Sequence, residues 1–274
     1  MENQSWRFTY TGENDPYFNM AADEVLLSSV QKGSPPVLRL YEWNPATISI
    51  GYFQVVKKTV DLDKCDKSGV KLVRRITGGR AVLHNKELTY SFCGSSRDFP
   101  ELGRNVSETY QRISQALLLS LKILGIEAQW GKPKNEKSSS GKPFCNLPCF
   151  SSFSRYEISF QGKKLIGSAQ RRFGDFFLQH GSILLKNGSL EITDLLPADN
   201  SLYREIDLED NSISLEEIKG NKIERLQIIQ SLREGFSRFF QRDFAENFLT
   251  FYEQERACKL IKEKYIKENW NYKY

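Results

Sequence analysis

Arg74-Arg75-Ile76-Thr77-Gly78-Gly79-Arg80-Ala81-Val82-Leu83-His84 is the densest stretch of chemistry in this 274-residue chain. A glycine pair sits between two strand-like runs, Leu72–Arg75 and Ala81–Leu83. Glycine lets backbone amides approach a ligand closely. Successive amides flanked by arginines suit a carbonyl oxygen or a phosphate. Taken alone, such a pair is more often a plain hairpin turn. Three arginines, a hydroxyl and a histidine within eleven residues favour a binding loop.

Two further segments carry chemistry. Lys164-Leu165-Ile166-Gly167-Ser168-Ala169-Gln170 is followed by Gln179-His180-Gly181-Ser182. Gly-Ser-Ala has little bulk and lets a chain pass beside the backbone, although a lone strand lysine usually faces solvent. The second is Pro148-Cys149-Phe150, fifteen residues before Lys164. A nearby ammonium favours a thiolate, so Cys149 facing Lys164 would be an activated nucleophile that needs no histidine. The alternative is a small buried hydrophobe, the commoner fate of a cysteine. Cys145 and Cys149 form a C-x₃-C with no second ligand pair, which is weak as a metal motif.

Outward from these segments the chain alternates short strands and longer helices. Asp15-Pro16 opens a helix running to about Gln31, with Asp15 as N-cap. Strand-like runs follow at Val37–Tyr41, Thr47–Ile50 and Leu88–Phe92. Val106, Tyr110, Ile113, Leu117, Leu121 and Leu124 mark one helix face, and Gly125 falls where a helix ends. Residues 132–142 have the composition of a mobile loop. Strands are expected at Tyr156–Phe160, through Leu165 after a Gln161-Gly162 turn, at Phe176–Gln179 and at Ser182–Leu185. The last third reads as helices over Leu215–Ile218, Ile223–Phe240 and Asn247–Glu268. This order predicts one α+β domain, with its strands within about 37–185 and a helix as its first element.

Composition narrows the function. The five cysteines are odd in number and widely spaced, unlike a disulfide framework. No secretory h-region and no run of about 18 apolar residues is visible. A cytoplasmic location and no membrane partner are the expectation. With two histidines, a three-histidine zinc site is impossible. The net charge of +5 is too small for a dedicated nucleic-acid binder.

The order Asn19-Met20-Ala21-Ala22-Asp23-Glu24, then Trp43 to Gln54, then the glycine segment, then Lys164 to Gln170 and Gln179 to Ser182 resembles the lipoate/biotin protein ligase superfamily. The resemblance covers most of residues 15–190. It implies an α+β fold with a mixed β-sheet core and packed helices: a catalytic domain over 31–230 and a C-terminal helical extension of the same domain over 231–274. A cysteine fifteen residues before the lysine of KxxGSAQ is similar to the octanoyltransferase branch. That branch moves an octanoyl group from octanoyl-acyl carrier protein, through a cysteine thioester, to a lysine of a lipoyl domain or glycine cleavage H protein.

The resemblance implies that Cys149 is the acyl-thioester nucleophile and that Lys164 lowers its pKa and holds the acyl carbonyl. Arg75, Thr77, Gly78, Gly79, Ala81 and His84 would line one wall of the acyl pocket. Gly167, Ser168, Ala169 and Gly181 would line the other, with His180 behind them. A thioester is already activated, so no cofactor, ATP or metal is expected. A monomer is the default. The alternative within the superfamily is an ATP-dependent lipoate ligase acting through lipoyl-AMP, in which the lysine contacts the adenylate. A third reading, a binding module without catalysis, predicts the loss of the cysteine or the lysine, and both are present.

Overall fold

The structure is a computed structural model that describes residues 5–130, 157–188, 190–197 and 212–273. Its strands are β1 (Trp6–Asn14), β2 (Val37–Trp43), β3 (Thr47–Ile50), β4 (Lys71–Arg74), β5 (Val82–His84), β6 (Glu87–Ser95), β7 (Gln129–Trp130), β8 (Ile158–Phe160), β9 (Lys163–Phe173), β10 (Phe176–Leu184) and β11 (Phe244–Glu246). The helices are α1 (Pro16–Gln31), α2 (Val56–Thr59), α3 (Leu62–Lys67), α4 (Val106–Ile123), α5 (Leu215–Lys219), α6 (Arg225–Phe240), α7 (Phe251–Leu260) and α8 (Glu268–Asn271). A π-helical turn, Ile261–Tyr265, extends α7.

The fold is α+β, as expected. Eight strands form a mixed sheet in the order β11-β1-β2-β6-β10-β9-β8-β7, and three form a small sheet in the order β4-β3-β5. Strand periodicity splits the large sheet into two chemically different faces. Leu38, Leu40, Leu88, Tyr90, Phe92 and Phe177 pack with Ile113, Leu117 and Leu121 of α4 and Leu232 and Phe236 of α6 in the main core. Residues between them, including Arg39, Thr89 and His180, are buried on the other side with α1. The apolar face holds the domain together, and the polar face is left for a site.

Local signals explain the elements. Asp15 caps α1 by accepting from Tyr17 N–H at 2.8 Å, and Pro16 takes the first turn. Asn105 caps α4, and Gly125 follows it at φ +73°. Thr250 and Glu253 form a reciprocal capping box that starts α7.

Several expectations are corrected. β1 precedes the first helix and β11 lies beyond residue 185, so the strands are not confined to 37–185. Trp6 and Phe8 alternate with Arg7 and Thr9, an apolar–polar strand pattern inside a start that looks polar on average. Phe176 to Leu184 is one strand rather than two. β9 also continues past Leu165 to Phe173. Gly181 interrupts the apolar pattern without interrupting the ladder. A Cβ there would meet Ser168 Oγ at 2.5 Å and Gly167 O at 2.6 Å.

Candidate active site

The glycine segment is not a hairpin. β4 and β5 flank β3 on opposite sides, so residues 75–81 cross over the end of β3 to reach its far edge. Arg75 fixes this crossing. Its guanidinium donates to Gly78 O (2.9 and 3.2 Å), Arg80 O (2.7 Å), Ser49 O (2.8 Å) and Ser49 Oγ (3.1 Å). Arg75 therefore shapes the loop with donors that sequence reading assigns to a ligand. Gly79 has φ +90°, a conformation that side chains disfavour. Gly51 lies so close beneath it that a Cβ would stand 1.9 Å from Gly79 O.

Between this loop, α1 and the polar face of the large sheet lies a narrow cavity. Arg75, Gly79, His84, Gly167, Ser168, Ala169 and Gly181 are brought together around it. Met20, Tyr41, Trp43, Ser49 and Val82 join them. The floor is made of small residues and the walls of rings and aliphatic groups, a shape that suits an unbranched apolar chain. Three expected wall residues stand elsewhere. Ala81 packs in the core with Ile48, Ile50 and Val56. Gly78 presents its carbonyl to Arg75. Thr77 is fully buried behind His180.

Two buried histidine relays flank the cavity. His180 Nδ1 is 3.0 Å from Asp23 Oδ2, and its Nε2 is 2.7 Å from Thr77 Oγ1. Burial pulls the His180 pKa below its ordinary value, against the opposing pull of Asp23. Burial alone would raise the Asp23 carboxyl, but the His180 hydrogen bond and the Arg39 charge hold it below its usual value. The carboxylate can only accept, so Nδ1 carries the proton of a neutral His180 and Nε2 accepts from Thr77. Arg39, also fully buried, donates to Asp23 Oδ1 at 2.9 Å and to Asn19 Oδ1 at 2.7 Å.

The second relay runs from Glu87 Oε1 to His84 Nδ1 (2.6 Å) and from His84 Nε2 to Ser49 Oγ (2.7 Å). Trp43 stacks on His84, with ring centres 4.1 Å apart, and its Nε1 donates to Thr89 Oγ1. Both histidines stood out in the sequence, but their partners Asp23, Glu87 and Trp43 did not, nor did Arg39, which pairs with Asp23. Asp23 and Trp43 lie in segments that carry the family resemblance. Glu87 lies three residues after His84, and Arg39 carries no local signal.

Lys164 is fully buried, with its ammonium 2.5 Å from Glu157 Oε1. The carboxylate offsets the cost of burying the cation. Lys164 lies three positions before Gly167 on β9, about 10 Å along the strand. Cys149, Cys145 and the 131–143 segment lie outside the described residues. Among the described thiols, burial raises Cys65 to about 11 and pushes Cys93 well above its ordinary value. Neither is a thiolate at neutral pH. Among the described residues, no group of His, Cys, Asp and Glu could hold a metal, and no helix is long and apolar enough to cross a membrane.

The site is thus a narrow cavity beneath a glycine loop, set between the two sheets of an α+β fold. A model of the lipoyl protein ligase A/B catalytic domain matches residues 15–237, and the chain belongs to that family of enzymes. Octanoyltransferase LipM of Kyrpidia tusciae is 39% identical over 274 residues, covering 98% of this chain and 99% of its own. The solved bipartite lipoate protein ligase of Thermoplasma acidophilum, studied with its E2 lipoyl domain, matches with TM-score 0.80 at 25% identity, over 98% of this chain and 96% of that one. A lipoate-protein ligase A bound with ATP matches with TM-score 0.79 at 26% identity, over 98% and 99%.

Proposed function

We propose that this chain moves an octanoyl group from octanoyl-acyl carrier protein to a lysine of a lipoyl domain or of glycine cleavage H protein, through a thioester on Cys149. Full-length identity to octanoyltransferases carries this reading. The narrow cavity of small and apolar residues supports it. Each methylene buried there contributes about 0.8 kcal/mol.

The chemistry is two acyl transfers. The Cys149 thiolate attacks the donor thioester carbonyl, and the donor thiolate leaves and takes a proton. The acceptor lysine amine then attacks the Cys149 thioester, loses a proton, and the Cys149 thiolate leaves. The first exchange is near thermoneutral and the second is downhill, so no nucleotide is consumed. Lys164 favours the thiolate and donates to the acyl carbonyl. His84 and His180 serve as walls, each held by its carboxylate.

The likeness to an ATP-bound ligase favours a second reading, activation of free lipoate as an adenylate. The test is modification of an apo lipoyl domain. Octanoyl-acyl carrier protein without ATP suffices for a transferase. A requirement for ATP and free acid identifies a ligase.

A further inference from the structure

β4 is an edge strand, and the chain's last described turn covers it at Arg74. Asn271 Oδ1 accepts from Arg74 N–H at 2.8 Å, and Trp270 Nε1 donates to Arg74 O at 2.9 Å. Both backbone groups that a neighbouring strand would pair are taken by these two side chains. The fully buried Arg74 guanidinium then joins two segments. It donates to Trp270 O (3.0 Å) and Asn271 O (2.9 Å) on one side, and to Gly51 O (2.9 Å), Tyr52 O (3.1 Å) and Gln54 O (2.9 Å) on the other.

The second segment supports the glycine loop. Gly51 packs under Gly79 O, and Tyr52 N–H donates to Thr77 O at 2.9 Å. Arg74 also immediately precedes Arg75, whose side chain holds Gly78 and Arg80. Asn271 is itself anchored, since its Nδ2 donates to Tyr265 O at 2.7 Å.

We infer that Trp270 and Asn271 are positioning residues for the acyl cavity: they fix Arg74, and through residues 51–54 they hold the glycine loop in its binding shape. The kinetic consequence rests on the octanoyl-transfer reading above. The structural consequence does not.

The test uses the full chain with Asn271→Ala and, separately, Trp270→Phe, which keeps the ring and removes its N–H. Hydrogen–deuterium exchange is expected to accelerate at residues 51–54 and 76–80 and to stay unchanged in α4 and α6. The KM for octanoyl-acyl carrier protein is expected to rise about tenfold, the scale of one buried hydrogen bond, with kcat within about twofold. Leu121→Ala, on the core face of α4, provides a destabilised control whose KM stays at the wild-type value. Unchanged exchange at 51–54 and 76–80 overturns the inference. So does uniform acceleration across α4 and α6, or a loosened loop with an unchanged KM. If the wild-type protein transfers no octanoyl group, the functional reading fails while the exchange measurement still decides the role of the two residues.

Discussion

Asp23 of α1 and His180 of β10 stand 157 positions apart and meet at 3.0 Å inside the protein. Their contact fixes both the tautomer of the histidine and the docking of α1 on the polar face of the large sheet. His180 is expected to be mostly neutral at pH 6.5, because burial lowers its pKa more than Asp23 raises it. NMR of ring-labelled protein checks this. A His180 resonance titrating at or above 6.5 contradicts the assigned relay.

Arg39 and Asp23 are both buried, and each compensates the other's charge. Asp23→Ala leaves a buried guanidinium unpaired and should destabilise the fold by about 3–5 kcal/mol. Urea denaturation measures the change. Asp23→Ala combined with Arg39→Met should recover much of that loss. A double variant no more stable than the single one would show that the pair is not coupled as described.

Glycine substitutions test how the loop crosses over residue 51. A Cβ at Gly51 would stand 1.9 Å from Gly79 O, so Gly51→Ala must displace the loop. A Cβ at Gly78 meets nothing within 4 Å, and its backbone is not in the left-handed region. Gly51→Ala should be destabilised by more than about 1 kcal/mol, and Gly78→Ala should stay within about 1 kcal/mol of wild type. Thermal denaturation ranks them. Equal stability losses would contradict the loop geometry.

Acid sensitivity is expected at the junction of the first strand and the last helices. Arg7 grips Glu253 through two hydrogen bonds of 2.7 and 2.8 Å. Burial would raise the Glu253 carboxyl, but the Arg7 hydrogen bond and charge and the Thr250 N–H outweigh it and hold it at about 2. A depressed carboxyl stabilises the fold above its unfolded value of 4.5. That stability is lost as pH falls from there towards 2. The contribution is about 3 kcal/mol. Denaturation at pH 6 and pH 3 should show Glu253→Gln less acid-sensitive than wild type. Identical pH dependence would contradict the assignment.

Helix ends and short strands were legible because their signals are local. Asp15-Pro16 starts α1, and Gly125 follows α4. β1 was hidden because its alternation of Trp6, Arg7 and Phe8 lies within a polar average. The glycine-loop residues were legible as a cluster, but their division of labour was not. Nothing near Arg75 in sequence says that its donors turn to Ser49 and Gly78. Glu87 and Glu157 lie only three and seven positions from His84 and Lys164, but strand geometry alone brings each pair together. Tertiary geometry decides which polar residue serves the cavity and which holds another residue in place.

The proposed reaction passes through a thioester on Cys149. Incubation with octanoyl-acyl carrier protein without ATP, followed by intact-mass measurement, tests it directly. The expected result is a single octanoyl adduct that hydroxylamine removes and that Cys149→Ala never forms. The contradicting result is an unmodified protein that acylates a lipoyl domain only when ATP and free acid are supplied.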